Sequence, residues 1–135
     1  MQSLGALAHI SYQEPGVCGY ELAAMYMKEI GISYKEIEQF YRRMVLPAYD
    51  ITFSYNPTNK WLRAHQMTVN GKTTEIGLSD LLEAGAKMGI KERRCKDIIS
   101  EIGTVVGDFA TYAEQVGIKE KTCEYINSVI AANIV

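Results

Sequence analysis

The 135-residue sequence, with 47% hydrophobic and 22% charged residues, has the composition of a soluble globular protein. A chain of this length can bury a core without disulfides or metals, so we expect one domain over residues 1–135. The formal net charge of −2 argues against a non-specific nucleic-acid-binding protein, because such proteins are basic. The sequence has neither the apolar run of a membrane span nor the pattern of a signal peptide.

The three cysteines, Cys18, Cys95 and Cys123, are odd in number and widely spaced. This pattern fits neither a disulfide framework nor a zinc site. Isolated cysteines usually pack as small apolar side chains. Free thiols are typical of a reducing compartment, so we expect a cytoplasmic protein.

The first 19 residues lack helical periodicity and indicate a surface segment or a short strand. Apolar spacing then predicts a helix over residues 20–30, ended by Gly31. Ser33 and Glu36 have the spacing of a capping box, which predicts the start of a second helix. This helix should run to about Val45, with two arginines in its last turn.

Residues 46–77 contain two prolines and several asparagines without a helical period. We therefore expect one long loop here. Asn70 and Gly71 form a two-residue hairpin signal and predict a short β-hairpin within it. A loop of this length in a compact domain is usually functional or partly disordered.

Three more helices are predicted after the loop, over residues 79–89, 91–116 and 119–133. Ser79 is the predicted N-cap of the first, and Gly89 and Gly117 end the first and second. Because short loops join them, neighbouring helices should pack antiparallel, and we expect an all-α helical bundle.

The long helix over residues 91–116 carries an apolar stripe at 3–4 spacing. Gly103 and Gly107 interrupt it and indicate either a close helix crossing or a bend. The residues predicted to face inward are Cys95, Ile98, Ile99, Ile102, Val106, Phe109, Ala113 and Val116.

Catalytic motifs are scarce. The sequence has no G-x-S-x-G, H-E-x-x-H or P-loop motif. His65 is the one histidine in the predicted loop, where a single histidine more often stabilises a turn. Asp50 follows a proline turn and by itself is typical of a local turn former. Trp61 is either an exposed anchor for a partner or a lid on the core.

The segments 46–52 (LPAYDIT), 54–57 (SYNP) and 65–72 (HQMTVNGK) resemble the C-terminal lobe of HipA-type toxin kinases. The flanking segments 38–45 and 78–82 are also similar, and the resemblance covers most of the chain from about residue 12. HipA-type proteins are bacterial serine/threonine kinases that pair with a helix-turn-helix antitoxin, which binds operator DNA. The resemblance therefore implies a role in toxin–antitoxin and transcription regulation.

In that family the aspartate of the Pro-Ala-Tyr-Asp segment holds magnesium against the phosphates of ATP. The resemblance therefore implies Asp50 as a magnesium ligand, a task that suits a carboxylate. Tyr49, Trp61 and His65 are further candidates for contacts between the loop and a partner.

The sequence departs from the family where catalysis takes place. Val45 runs directly into Leu46, where the family has a loop with a base aspartate and a second metal-binding asparagine. We expect the N-terminal lobe with its phosphate-binding lysine to be absent too. Phosphoryl transfer depends on these parts, so we expect no kinase activity, no catalytic residue and no cofactor.

The leading hypothesis is a degenerate or truncated kinase lobe that acts by binding another protein. An antitoxin-like helix-turn-helix protein or a separately encoded N-terminal lobe is the natural partner. Loss of the catalytic loop should also leave apolar surface uncovered, which favours a homodimer.

Two alternatives remain. In a split or residual kinase, Asp50 binds magnesium and ATP while a partner supplies the missing groups. In a DNA-binding module, residues 81–99 form a helix-turn-helix with Arg93 and Arg94 near the start of its second helix. Acidic residues interleave with these arginines, so a solvated start of a core helix is the simpler interpretation, and we do not expect direct nucleic-acid binding.

Overall fold

A computed structural model describes residues 4–11, 13–14, 16–46, 56, 58–59 and 64–133. Within them the helices are α1 (Leu4–Leu7), α2 (Tyr20–Glu29), α3 (Tyr34–Val45), α4 (Leu78–Lys87), α5 (Glu92–Gly107), α6 (Phe109–Gln115) and α7 (Glu120–Asn133). Extended pairing in this part of the chain is confined to isolated β-bridges. The predicted all-α class is confirmed. No helix among the described residues combines the length and apolarity that a membrane crossing requires.

Helix α3 begins where the sequence predicts. The Glu36 N–H donates to Ser33 Oγ at 3.4 Å, and the Ser33 N–H donates to the Glu36 carboxylate at 3.1 Å. These two bonds form the predicted capping box and satisfy two amides that the first helical turn leaves free. Hydrogen bonds from Ser33 also lower the pKa of Glu36.

Helices α2, α4 and α6 each end in a turn of the same type, the Schellman motif. In each, a glycine of positive φ is followed by an isoleucine whose N–H donates at 2.9 Å to the carbonyl five residues earlier. Glycine suits this position because a Cβ disfavours positive φ. The predicted glycine ends are thus confirmed at Gly31–Ile32, Gly89–Ile90 and Gly117–Ile118.

The start of α4 differs from the prediction. Gly77 is the N-cap rather than Ser79, and the helix begins at Leu78. The Gly77 N–H donates to the Asp80 carboxylate at 3.0 Å. Because the carboxylate of the third helical residue reaches back to this amide, the chain enters the helix two residues earlier than a serine cap would place it.

The predicted helix over residues 91–116 is two helices. Asp108 lies between α5 and α6 with φ −82° and ψ 9°, outside regular helical geometry. Gly107 precedes the break and weakens the helix there. A Cβ at Gly103 or Gly107 would meet nothing within 4 Å, so the bend, and not a close helix crossing, accounts for Gly107.

The predicted hairpin is also present. Val69 and Lys72 donate to each other's carbonyls at 2.8 and 2.9 Å around Asn70 and Gly71. Both turn residues have positive φ, at 50° and 80°, which is the type I′ geometry that Asn-Gly favours.

The N-terminal segment pairs with this hairpin. The Tyr20 N–H donates to the Thr68 carbonyl at 3.0 Å, and the Thr68 N–H donates to the Cys18 carbonyl at 2.9 Å. Gly19 and Thr68 form a parallel bridge. The expectation of a short extended segment before α2 is met at this bridge, whereas the one-turn helix α1 was not predicted.

The hydrophobic core lies between α2, α3, α4 and the first half of α5. The Tyr41 hydroxyl donates at 3.0 Å to the Leu81 carbonyl and joins α3 to α4. Helix α4 packs closely at Gly85, where a Cβ would overlap Cys95 Sγ and lie 3.0 Å from the Tyr41 ring. Cys95 is a buried free thiol, as expected. The largest fully buried side chains are Tyr41, Ile37, Met44, Met88, Ile98, Val69 and Cys95.

Candidate functional site

The turn of the hairpin is anchored to two helices through Asn70. Its N–H donates to Glu21 Oε1 on α2 at 2.5 Å. Its side-chain amide donates to Asp80 at 3.2 Å and to Glu83 at 2.8 Å, both on α4. Lys87 Nζ donates back to the Asn70 amide oxygen at 2.6 Å. These contacts hold the turn in one place on the bundle.

Asp80 is the buried charge at the centre of this network, with 4% of the residue exposed. Its carboxylate accepts from Lys72 Nζ at 2.9 Å, from the Gly77 N–H and from Asn70. The bond from Lys72, followed by those from Gly77 and Asn70, lowers the pKa of Asp80 to about 2. This carboxylate is a structural anchor, because its donors come from the hairpin and from the start of α4 and hold the two together.

His65 lies at the other end of the hairpin. Its N–H donates to the Thr73 carbonyl at 2.9 Å, so its backbone belongs to the paired hairpin. Burial lowers the pKa of the half-buried imidazole, because desolvation disfavours its charged form. This hydrogen bond involves the backbone only, so the role of the imidazole, in the turn or in a contact with a partner, remains a prediction.

The two arginines predicted as DNA contacts lie in different environments. Arg94 donates from Nε and Nη2 to both oxygens of Glu38 on α3, at 3.0 and 2.6 Å, and from Nη1 to Glu101 at 3.3 Å. Arg42 Nη2 adds a bond to Glu101 at 2.6 Å. This network joins α3 to α5 and raises the pKa of Arg94. Arg93, one residue before, is exposed.

The remaining predicted site residues, Tyr49, Asp50 and Trp61, lie outside the described residues. Among the residues that the structure does describe, no three histidine, cysteine or carboxylate side chains are grouped as metal ligands would be. The magnesium role of Asp50 therefore stays a prediction from the resemblance.

Residues 104–133, which we call the C-terminal arm, are thinly packed. They comprise the end of α5 together with α6 and α7, which contact one another. Of the 29 residues from 104 to 132, only Ala113 and Ile126 are buried and six more are half-buried. The main core extends no further along α5 than Ile102. Val116, predicted to face inward, is 74% exposed because the chain turns at Asp108 and leaves the core behind.

The Schellman turns after α4 and α6 allow a direct comparison of side-chain exposure in the core and in the C-terminal arm. The sequence Gly-Ile-Lys-Glu occurs at residues 89–92 and again at 117–120, with the same hydrogen bond after each helix. Ile90 is 3% exposed, whereas Ile118 is 36% exposed. The isoleucine that packs against the core after α4 has no comparable cover after α6.

Sequence reasoning missed the Asn70–Asp80 network, the Glu38–Arg94 pair and the exposure of the arm. The first has a signal in the sequence, since Asp80 stands three residues after the glycine that caps α4. The other two depend on which helices meet, and helical periodicity alone does not contain that information.

Comparisons with known proteins found no match among family models, curated proteins or solved structures.

Proposed function

We propose that this chain is a protein-interaction domain without kinase activity, related to the C-terminal lobe of HipA-type kinases. The observation that supports an interaction role is the C-terminal arm, where several large apolar side chains are exposed beside a well-packed core. Val105, Tyr112, Val116 and Tyr125 are each at least half exposed. A contiguous exposed apolar patch is typical of a site that another protein covers, and we propose that these side chains form such a patch.

The absence of kinase activity is proposed from the resemblance to HipA-type kinases. The segment where the family carries its catalytic loop is reduced to the junction of Val45 and Leu46. One similar segment that the structure describes, residues 65–72, has a structural use, since Asn70 and Lys72 both bind Asp80. We propose that these residues hold the hairpin on the helices and take no part in catalysis.

From the resemblance we also propose a cellular process and candidate binding partners for this domain. HipA-type kinases act with a helix-turn-helix antitoxin in the bacterial cytoplasm, so this domain would act in toxin–antitoxin and transcription regulation. An antitoxin-like protein or a separately encoded N-terminal lobe would then be available to bind it.

The DNA-binding alternative has less support from the geometry. Arg94 uses its guanidinium on Glu38 and Glu101, and Lys96 pairs with Glu92 at 2.5 Å. These pairs offset the charge of Arg94 and Lys96 near the start of α5, and phosphate binding by these two side chains would need that charge free.

Native capture tests the proposal. The tagged chain, expressed from its own promoter beside an untagged copy, is purified under mild conditions and the bound proteins are quantified by mass spectrometry. A stoichiometric protein that is retained by the wild type and lost with Val116→Lys supports an interaction domain that acts through the arm. Recovery of no stoichiometric protein, or of one that Val116→Lys leaves bound, contradicts it.

The matched control is Ile30→Lys. Ile30 and Val116 are both apolar residues at a helix C-cap, both precede the glycine of a Schellman turn, and both are more than half exposed. A lysine is electrostatically favourable at a helix C-terminus, so neither variant should unfold the protein. Capture should be unchanged by Ile30→Lys.

A further inference from the structure

We propose that Asn70 is a site of covalent modification, where deamidation converts its side-chain amide to a carboxylate and releases the hairpin turn from α4. Two observations support this site. The turn leaves the reacting backbone nitrogen of Gly71 open, and the network around Asn70 uses the amide that the reaction removes. The site lies on the hairpin, outside the C-terminal arm, so it does not depend on the proposed function.

The reaction uses the backbone nitrogen of the residue that follows the asparagine. Base removes the Gly71 N–H proton, the nitrogen attacks Asn70 Cγ, and the side-chain nitrogen takes up a proton and leaves as ammonia. Water opens the resulting succinimide ring at either carbonyl, which gives aspartate or isoaspartate. The net change consumes water and releases ammonia, without oxidation or reduction. Asparagine is one of the thermolabile residues of proteins.

Gly71 presents this nitrogen without steric cover. The residue is exposed, and apart from its chain neighbours nothing lies within 4 Å of the place where a Cβ would stand. Among the hydrogen bonds of the described residues, none is donated by the Gly71 N–H. A glycine also has no side chain to hinder the attack. The other asparagines of the chain all precede larger residues; they are Asn56, Asn59, Asn127 and Asn133.

The side-chain contacts of Asn70 slow the reaction without excluding it. Asp80, Glu83 and Lys87 hold the amide on α4, so the turn must open before Gly71 can attack. Exposed turns open at a lower free-energy cost than the core does. The network therefore controls how often the amide becomes reactive.

The product does not fit the network that holds the amide. The amide nitrogen donates to Asp80 at 3.2 Å and to Glu83 at 2.8 Å, whereas a carboxylate oxygen in its place has no proton to donate. Both bonds would be lost, and the new carboxylate would face two groups of its own charge. Asp80 is 4% exposed, so a like charge beside it is poorly screened.

Two further features decide what happens to the turn. Lys87 can still bind one oxygen of the new carboxylate, so the loss falls on the contacts with Asp80 and Glu83. Isoaspartate also adds a backbone atom to a two-residue turn, which changes the geometry that joins Val69 to Lys72. Both products therefore favour a turn that is released from α4.

Mass spectrometry of the purified full chain tests the reactivity of the site. The folded protein is incubated at mildly alkaline pH, and digestion in heavy-oxygen water marks any deamidation that occurs during work-up. We expect a mass gain of about 1 Da at Asn70, about tenfold or more faster than at Asn127. Asn127 is the internal control, because Ser128 follows it and it lies within α7.

Hydrogen exchange tests the release. In the deamidated chain, separated by ion exchange, the amide hydrogens of residues 65–73 should exchange about tenfold or more faster, since this factor corresponds to the loss of a hydrogen bond to a charged group. The amides of α3 should exchange as before. Asn70→Asp should reproduce the effect, and Asn127→Asp, the same change within α7, should leave the hairpin unaffected.

Every outcome bears on the proposal. Fast deamidation at Asn70, with faster exchange confined to the hairpin, supports it. Deamidation no faster than at Asn127 overturns it, and so does a deamidated chain whose hairpin exchanges like the unmodified one. Faster exchange in α3 as well would contradict a release confined to the hairpin. Because the deamidated chain forms from folded protein, the test holds even if Asn70→Asp fails to fold.

Discussion

Gly85→Ala should destabilise this protein, although alanine ordinarily stabilises a helix relative to glycine by about 1 kcal/mol. A Cβ at Gly85 would overlap Cys95 Sγ and lie 3.0 Å from the Tyr41 ring, and both of these side chains are fully buried. Overpacking of this kind costs about 1–3 kcal/mol. The net loss in the free energy of unfolding is therefore about 1 kcal/mol, between no change and about 2 kcal/mol.

Gly103→Ala is the matched control, because Gly103 also lies inside a helix but its Cβ would meet nothing within 4 Å. The helix-propensity gain is common to both variants, so the difference between them isolates the overpacking cost of about 1–3 kcal/mol. In a thermal melt this corresponds to about 4–12 °C between the two midpoints, with Gly103→Ala the higher. If Gly85→Ala melts at or above Gly103→Ala, the close packing of α3, α4 and α5 described here is wrong.

Three further results are expected. Because the pKa of Asp80 is lowered from near 3.8 to about 2, its stabilising effect is fully present above pH 4 and is lost as the pH falls toward 2; Asp80→Asn should flatten this part of an acid unfolding curve. Arg94→Ala should lower the free energy of unfolding by no more than about 1 kcal/mol in urea titrations, since its pair with Glu38 is partly exposed. Calorimetric titration with magnesium and ATP should give no metal-dependent binding, with the wild type and Asp50→Ala alike.

Each of these expectations has a contrary outcome. An unchanged acid curve for Asp80→Asn would mean that the carboxylate is not held as described. Arg94→Lys should not restore the stability lost in Arg94→Ala, because lysine lacks the planar fork that binds both oxygens of Glu38; full restoration would speak against the bidentate geometry. Magnesium-dependent ATP binding that Asp50→Ala removes would favour a residual kinase lobe over an interaction domain.

Local signals in the sequence predicted much of the fold. The capping box at Ser33, the Asn70-Gly71 turn and the glycine ends of the helices depend on residues a few positions apart, so their chemistry is contained in the sequence. The break at Asp108 was expected at most as a bend at Gly103 or Gly107 within one helix, because the apolar spacing continues through it. The N-cap of α4 was assigned to Ser79 because serine is a common cap, whereas Asp80 reaching back to Gly77 fills the same need.

The exposed apolar surface of the C-terminal arm was harder to predict from the sequence than the fold. The expectation of uncovered apolar surface came from the missing catalytic loop and did not locate that surface on α6 and α7. Arg94 was a candidate for DNA because a basic cluster near a helix start looks the same in sequence whether it faces solvent or Glu38. Which side chains are covered depends on how far the core extends along α5, a property of the whole bundle.

Site-specific photo-crosslinking tests most directly whether the C-terminal arm is covered by another protein. Benzoylphenylalanine replaces Tyr112, Tyr125 or Tyr34 in the cell that makes the chain. These tyrosines are matched in exposure, at 51%, 51% and 53%, and only the first two lie on the arm. We expect a discrete crosslinked product from Tyr112 and Tyr125, of the mass of two chains if the partner is a second copy, and none from Tyr34. No product at either arm position, or equal products at all three, would contradict the account.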